Sequence, residues 1–167
     1  MSFAKRLTSA AVVVVLLLLA FGGGWLVGRL GIGVPSVSEA DLNDLERGFA
    51  EQMQGATLIG QFTIAGHEGQ PARSDRYDIS SVEKISDDRW RFNTRVRYGD
   101  VDTALPIVVP LAWANDTPMV TLTDYSIPTL GTFTARVLFY GDRYAGFWQH
   151  GEVGGLMYGT IEKGAVP

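Results

Sequence analysis

Three patterns of apolar and polar positions follow one another along the chain. From Leu7 to Gly28, 22 residues pass without a charge, centred on Ala11-Val12-Val13-Val14-Val15-Leu16-Leu17-Leu18-Leu19-Ala20. Between Ser38 and Gly55 apolar residues return at helical steps, at Leu42, Leu45, Phe49 and Met53. From Ala56 onward β-branched and aromatic residues dominate, and turn residues recur every 8 to 14 positions. The three patterns predict a membrane-crossing helix, an amphipathic helix and a β domain.

At about 1.5 Å per helical residue the first run spans roughly 33 Å, enough for a bilayer's hydrocarbon core. Lys5, Arg6 and the amino terminus outnumber Arg29 on the far side, so the N-terminus is expected to stay cytoplasmic. Residues 1–30 therefore read as a signal anchor and 31–37 as a linker. Residues 38–167 read as an extracytoplasmic domain. A cleaved signal peptide is the second reading, with a small-x-small site at Ala20-Phe21-Gly22 and a secreted product. Trp25-Leu26-Val27 continues the apolar run past that site and favours the anchor.

Ser38 is a good helix N-cap, and Glu39 and Asp41 place negative charge where the helix dipole favours it. Gly55 closes the helix. Its apolar stripe is too short for three heptads and is expected to pack on the domain. Eight strands are expected near 57–65, 75–85, 89–98, 103–113, 118–124, 131–140, 143–149 and 156–163. Gly99-Asp100 and Gly141-Asp142 are candidate two-residue hairpin turns. Gly66 to Pro71, Asp87-Asp88 and Asn115-Asp116-Thr117-Pro118 supply other turns. Pro106 and Pro110 inside the fourth run make that strand an edge, bulged or broken, because proline cannot donate to a ladder. Eight short antiparallel strands in sequence order predict a mainly β fold. The expected form is an up-and-down meander closed into a barrel of lipocalin-like architecture, with a β-sandwich as the alternative.

Composition narrows the function. The chain has no cysteine, which removes disulfides, thiol chemistry and a lipid-modified N-terminal cysteine. Without Lys5, Arg6 and Arg29 the remaining 11 basic residues face 18 acidic ones, a net charge of −7. A domain so acidic lacks the basic footprint of a nucleic-acid binder.

Candidate chemistry is sparse. In the strand Arg89 to Tyr98, Trp90, Phe92, Val96 and Tyr98 share one face with Thr94. Arg91, Asn93, Arg95 and Arg97 share the other. Arg91, Arg95 and Arg97 could grip an anionic group with their guanidinium forks. The plainer expectation is a solvated face whose arginines pair with carboxylates such as Asp75, Asp78 and Glu83. Trp148, His150 and Glu152 lie at the end of a hairpin that continues into Gly154-Gly155 and form the second candidate contact site. His150 is a possible general base beside the Glu152 carboxylate, but no Gly-x-Ser-x-Gly elbow accompanies it. Two histidines, no cysteine and no His-x-x-x-His spacing argue against zinc, and no cofactor is expected.

The stretch Gly146-Phe147-Trp148-Gln149-His150-Gly151 with Gly159-Thr160-Ile161-Glu162-Lys163 resembles a family of small, exported or membrane-anchored bacterial proteins ending in a β domain. That resemblance implies a single-pass inner-membrane protein with a periplasmic domain, and no activity. The similarity to lipocalin-like barrels is architectural: Gly60-Gln61-Phe62 stands where those barrels carry Gly-x-Trp. The leading expectation is a non-enzymatic interaction or structural module of the envelope, held to the membrane by its N-terminal helix, with a protein partner. A barrel binding a small apolar ligand or lipid is the alternative, and a hydrolase using His150 ranks last. An interior filled by Trp90, Phe92, Phe133, Phe139 and Trp148 would separate the first two.

Overall fold

A computed structural model describes residues 33–128 and 130–164. The expected anchor and the first two residues of the linker, 31 and 32, lie outside the described residues, among which no helix is long and apolar enough to cross a membrane. The described chain forms one short helix, α1 (Asp44–Met53), and eight strands. The strands are β1 (Ala56–Phe62), β2 (Arg73–Lys84), β3 (Arg89–Tyr98), β4 (Val101–Ala114), β5 (Thr117–Ile127), β6 (Gly131–Tyr140), β7 (Arg143–His150) and β8 (Val153–Lys163). Each pairs antiparallel with the next, and β8 returns to β1, so the meander closes into a barrel. Closure removes the free edges that an eight-strand sheet would otherwise expose, and it decides against the sandwich.

Alternation along each strand sorts side chains into the barrel or out of it. Trp90, Phe92, Val96, Ala135, Val137 and Phe139 point inward and are buried. Gly99 and Gly141 take positive φ of 51° and 56°, as their two-residue turns require. β4 pairs with β3 over its whole run from Val101 to Pro110 but with β5 only from Leu111 to Ala114. The cause is local. The Leu111 N–H points to the β3 side, bonding the Asp88 carbonyl, so even-numbered β4 residues turn their backbone groups toward β5. Two of those, Pro106 and Pro110, have no N–H to give. Tyr125 fills the resulting seam, donating to the Val108 carbonyl at 2.6 Å and lying under Arg89.

α1 stoppers one end of the barrel. Ser38 caps only a 3-10 turn at Glu39–Asp41, while Asn43 and Glu46 form the capping box that starts α1. The helix thus begins later than its apolar spacing implies, and Leu45, expected on the buried stripe, is 48 % exposed. Phe49 and Met53 drop into the barrel. The Phe49 ring meets Trp90 at 5.6 Å, Phe139 at 5.7 Å, Trp113 at 6.1 Å and Phe92 at 6.2 Å. The largely buried Lys84–Glu46 ion pair at 2.5 Å ties the helix to β2. The opposite end is ringed by the β1–β2 loop and the β3–β4, β5–β6 and β7–β8 turns, and there Phe62 meets Tyr98 and Trp148 edge-on.

Candidate functional site

The arginine row lies on the outer wall of β2–β4, and the wall itself supplies its partners. Arg91 meets Glu83 at 2.5 Å and donates to the Val34 carbonyl at 2.9 Å. Arg95 grips both oxygens of Asp102, at 2.6 and 2.9 Å, which holds the Asp102 carboxyl below the usual range. Arg97 and Arg76 share Asp78. An anionic ligand would have to displace a carboxylate at each fork. Arg91 departs from the expected solvated face: its side chain is only 13 % exposed, against 54 % for Arg95.

Asp75 does not join this wall. It shares the inner face of β2 with Tyr77 and Ile79 and is 4 % exposed. Its carboxylate accepts from the Tyr144 hydroxyl at 3.0 Å and from the Tyr77 hydroxyl at 3.3 Å. Burial raises the Asp75 pKa, and the two hydroxyls offset part of that rise. Burial beside the same carboxylate pushes both tyrosines up. Room for Tyr144 comes from Gly60 and Gly159, which face each other across β1 and β8. A Cβ at Gly60 would strike the Tyr144 hydroxyl, and one at Gly159 the Tyr144 ring and the Ile59 carbonyl. The cluster pins the interior by tying β2 to β7.

The β7–β8 hairpin does not assemble Trp148, His150 and Glu152 into one site. Trp148 turns into the barrel mouth, edge-on to Phe62 at 5.6 Å, with its indole N–H buried and without a hydrogen-bond partner. His150 is exposed and stacks on Phe133 at 4.6 Å. Glu152 stands exposed in the turn and shares no hydrogen bond with His150. That arrangement provides no oriented acid–base pair. Among the described residues no cluster of three potential metal ligands occurs. Beside the hairpin a cleft of about 480 Å³ opens between the β1–β2 loop and Leu156, with Phe62, His67 and Arg73 among its walls.

The surface that sequence reading missed is the outer wall of β6–β8. Among the described residues, eight large hydrophobic side chains are exposed, and six of them fall on these three neighbouring strands. Five of these, Leu138, Tyr140, Phe147, Leu156 and Tyr158, point out of the barrel, whereas Val153 has the inward parity of Met157 and Ile161 and stands at the rim. Register lines up Leu138, Ala145 and Tyr158 in one row across the strands, and Arg136, Phe147 and Leu156 in the next. Arg136 is turned aside, donating to the Leu122 carbonyl and to Thr123 Oγ1. The signal was present in the sequence. In β6, Leu138 and Tyr140 share the parity of Thr132 and Thr134, so that strand is apolar on both faces at one end.

Comparison of the chain with known protein families, with curated proteins and with solved structures finds no match.

Proposed function

We propose that this chain is a membrane-tethered, extracytoplasmic interaction module, non-enzymatic, whose contact surface is the outer wall of β6–β8. The observation that carries the reading is the concentration of exposed apolar side chains on three of eight strands. Contiguous apolar surface of this kind marks interaction sites on otherwise soluble domains. The rival reading, a carrier of an apolar ligand, needs free volume at the barrel centre. Phe49 and Met53 of α1 occupy that space together with Trp90, Phe92 and Phe139. A hydrolase would need His150 beside a second catalytic group, and it stacks on Phe133 instead.

The test is a photo-reactive amino acid placed at Phe147 or at Arg95 of the full chain, followed by illumination of living cells. The reading expects covalent adducts from position 147 and few or none from position 95. Adducts from neither position, or from 95 alone, would overturn it.

A further inference from the structure

We infer that the occupant of the β6–β8 wall is a second copy of this chain, packed wall to wall about a two-fold axis that passes beside Gly146. This rests on the contact-surface reading above and adds the partner.

Two features of the wall carry it. The first is its relief. Ala145 is a socket, flanked in its row by Leu138 and Tyr158 and along β7 by Phe147. Phe147 is the adjoining knob, 43 % exposed and two residues away on the same strand. A two-fold axis crossing β7 between them seats Phe147 of each copy in the Ala145 socket of the other. The same rotation lays Leu156 over Tyr158. Each contact then occurs twice, as an isologous interface demands. Two sheet faces packed this way sit about 10 Å apart.

The second is area. The five side chains Leu138, Tyr140, Phe147, Leu156 and Tyr158 at the observed exposures present on the order of 600 Å². A self-paired wall doubles that to about 1,200 Å², the lower bound for a stable specific interface.

The chain's lack of cysteine makes the test direct. Full-length Phe147→Cys, and separately Asp102→Cys on the opposite wall, are treated in their membranes with a short bis-maleimide. Phe147→Cys is expected to give a covalent species of twice the chain's mass, and Asp102→Cys at least tenfold less. Adding Ala145→Trp, which fills the socket, should lower the Phe147→Cys dimer at least tenfold while the melting temperature stays unchanged. Leu156→Cys serves as a second reporter on the same wall and should follow Phe147→Cys. Absence of the dimer from both wall positions, or equal dimer from the two walls, overturns the proposal. If position 147 then labels a different protein under light, the contact surface stands and self-association falls. Lipid adducts there would place the wall on a bilayer instead. No adduct of any kind removes both readings.

Discussion

The two outer walls of this barrel are built on one scaffold and end in opposite states. On β2–β4 each arginine meets a carboxylate of the wall, Arg91 with Glu83, Arg95 with Asp102 and Arg97 with Asp78, although the buried Arg97 Nε–H is left without a partner. On β6–β8 the side chains are apolar and turned outward, with the nearby Arg136 folded back onto β5. Charge density alone would point to the first wall as functional. Satisfaction points to the second, because a wall whose forks are already filled gains little from a partner, whereas exposed Phe147, Leu156 and Tyr158 gain by losing water. A row of arginines is thus a site only when its carboxylates are missing.

The two walls share one core, so the largest expected effect strikes both. Trp90→Ala and Phe49→Ala should each cost about 3–5 kcal/mol in denaturant unfolding, Phe49 by unplugging the barrel. A loss under about 1 kcal/mol for either would mean that the interior is not packed as described.

Next comes a test within the charged wall. Arg91→Ala should cost about 1–3 kcal/mol, since it strands the largely covered Glu83 contact and frees the Val34 strap. Arg95→Ala, at an exposed pair, should stay within about 0.5 kcal/mol. Equal costs at the two positions would erase the difference in burial on which this ordering depends.

Asp75 sharpens the contrast between inside and outside acids. Its pKa is raised in the fold by burial, so its contribution to stability is fully present below the ordinary carboxylate range. That contribution is lost as pH rises through the raised folded value. Asp102, held low by Arg95, behaves in the opposite sense and loses its contribution as pH falls. The melting temperature of the wild type minus that of Asp75→Asn should therefore grow as pH is lowered from neutral into the acid range. A difference that stays flat or shrinks would contradict the buried placement of Asp75.

The smallest effect is expected on the apolar wall. Phe147→Ser and Leu156→Ser should change stability of the barrel by no more than about 0.5 kcal/mol while lowering the binding of a hydrophobic dye. A large loss of stability would mean that these side chains are part of the core.

Most of the fold was legible because antiparallel strands half-buried in a barrel write a period of two, and their turns need glycine, proline or aspartate. All eight strands lie where that alternation puts them, with ends displaced by up to three residues: β1 stops at Phe62 where 65 was expected, and β8 starts at Val153 where 156 was expected. Pro106 and Pro110 announced the β4–β5 seam, since a missing N–H is visible in the residue itself. Closure was expected from the cost of leaving sheet edges free and not from any local pattern, since the β1–β8 pairing joins residues about a hundred positions apart. Asp75 was misplaced for a related reason. Its parity with Tyr77 and Ile79 puts it inside, but the hydroxyl that stabilises it comes from Tyr144 on β7, through a gap left by Gly60 and Gly159. As for the candidate site, Trp148, His150 and Glu152 are contiguous in sequence and diverge in space, one inward, one onto Phe133 and one into the turn. The apolar wall emerges only when three strands are laid side by side.

The measurement that bears most directly on the central claim is a footprint of the two walls in the native membrane. Single cysteines at Phe147 and at Asp102 of the full chain are labelled with a membrane-permeant maleimide in intact cells and again after denaturation. If β6–β8 is the contact surface, position 147 reacts slowly in cells and position 102 rapidly, and the two become equal once the protein is unfolded. Equal rapid labelling in intact cells would contradict the account.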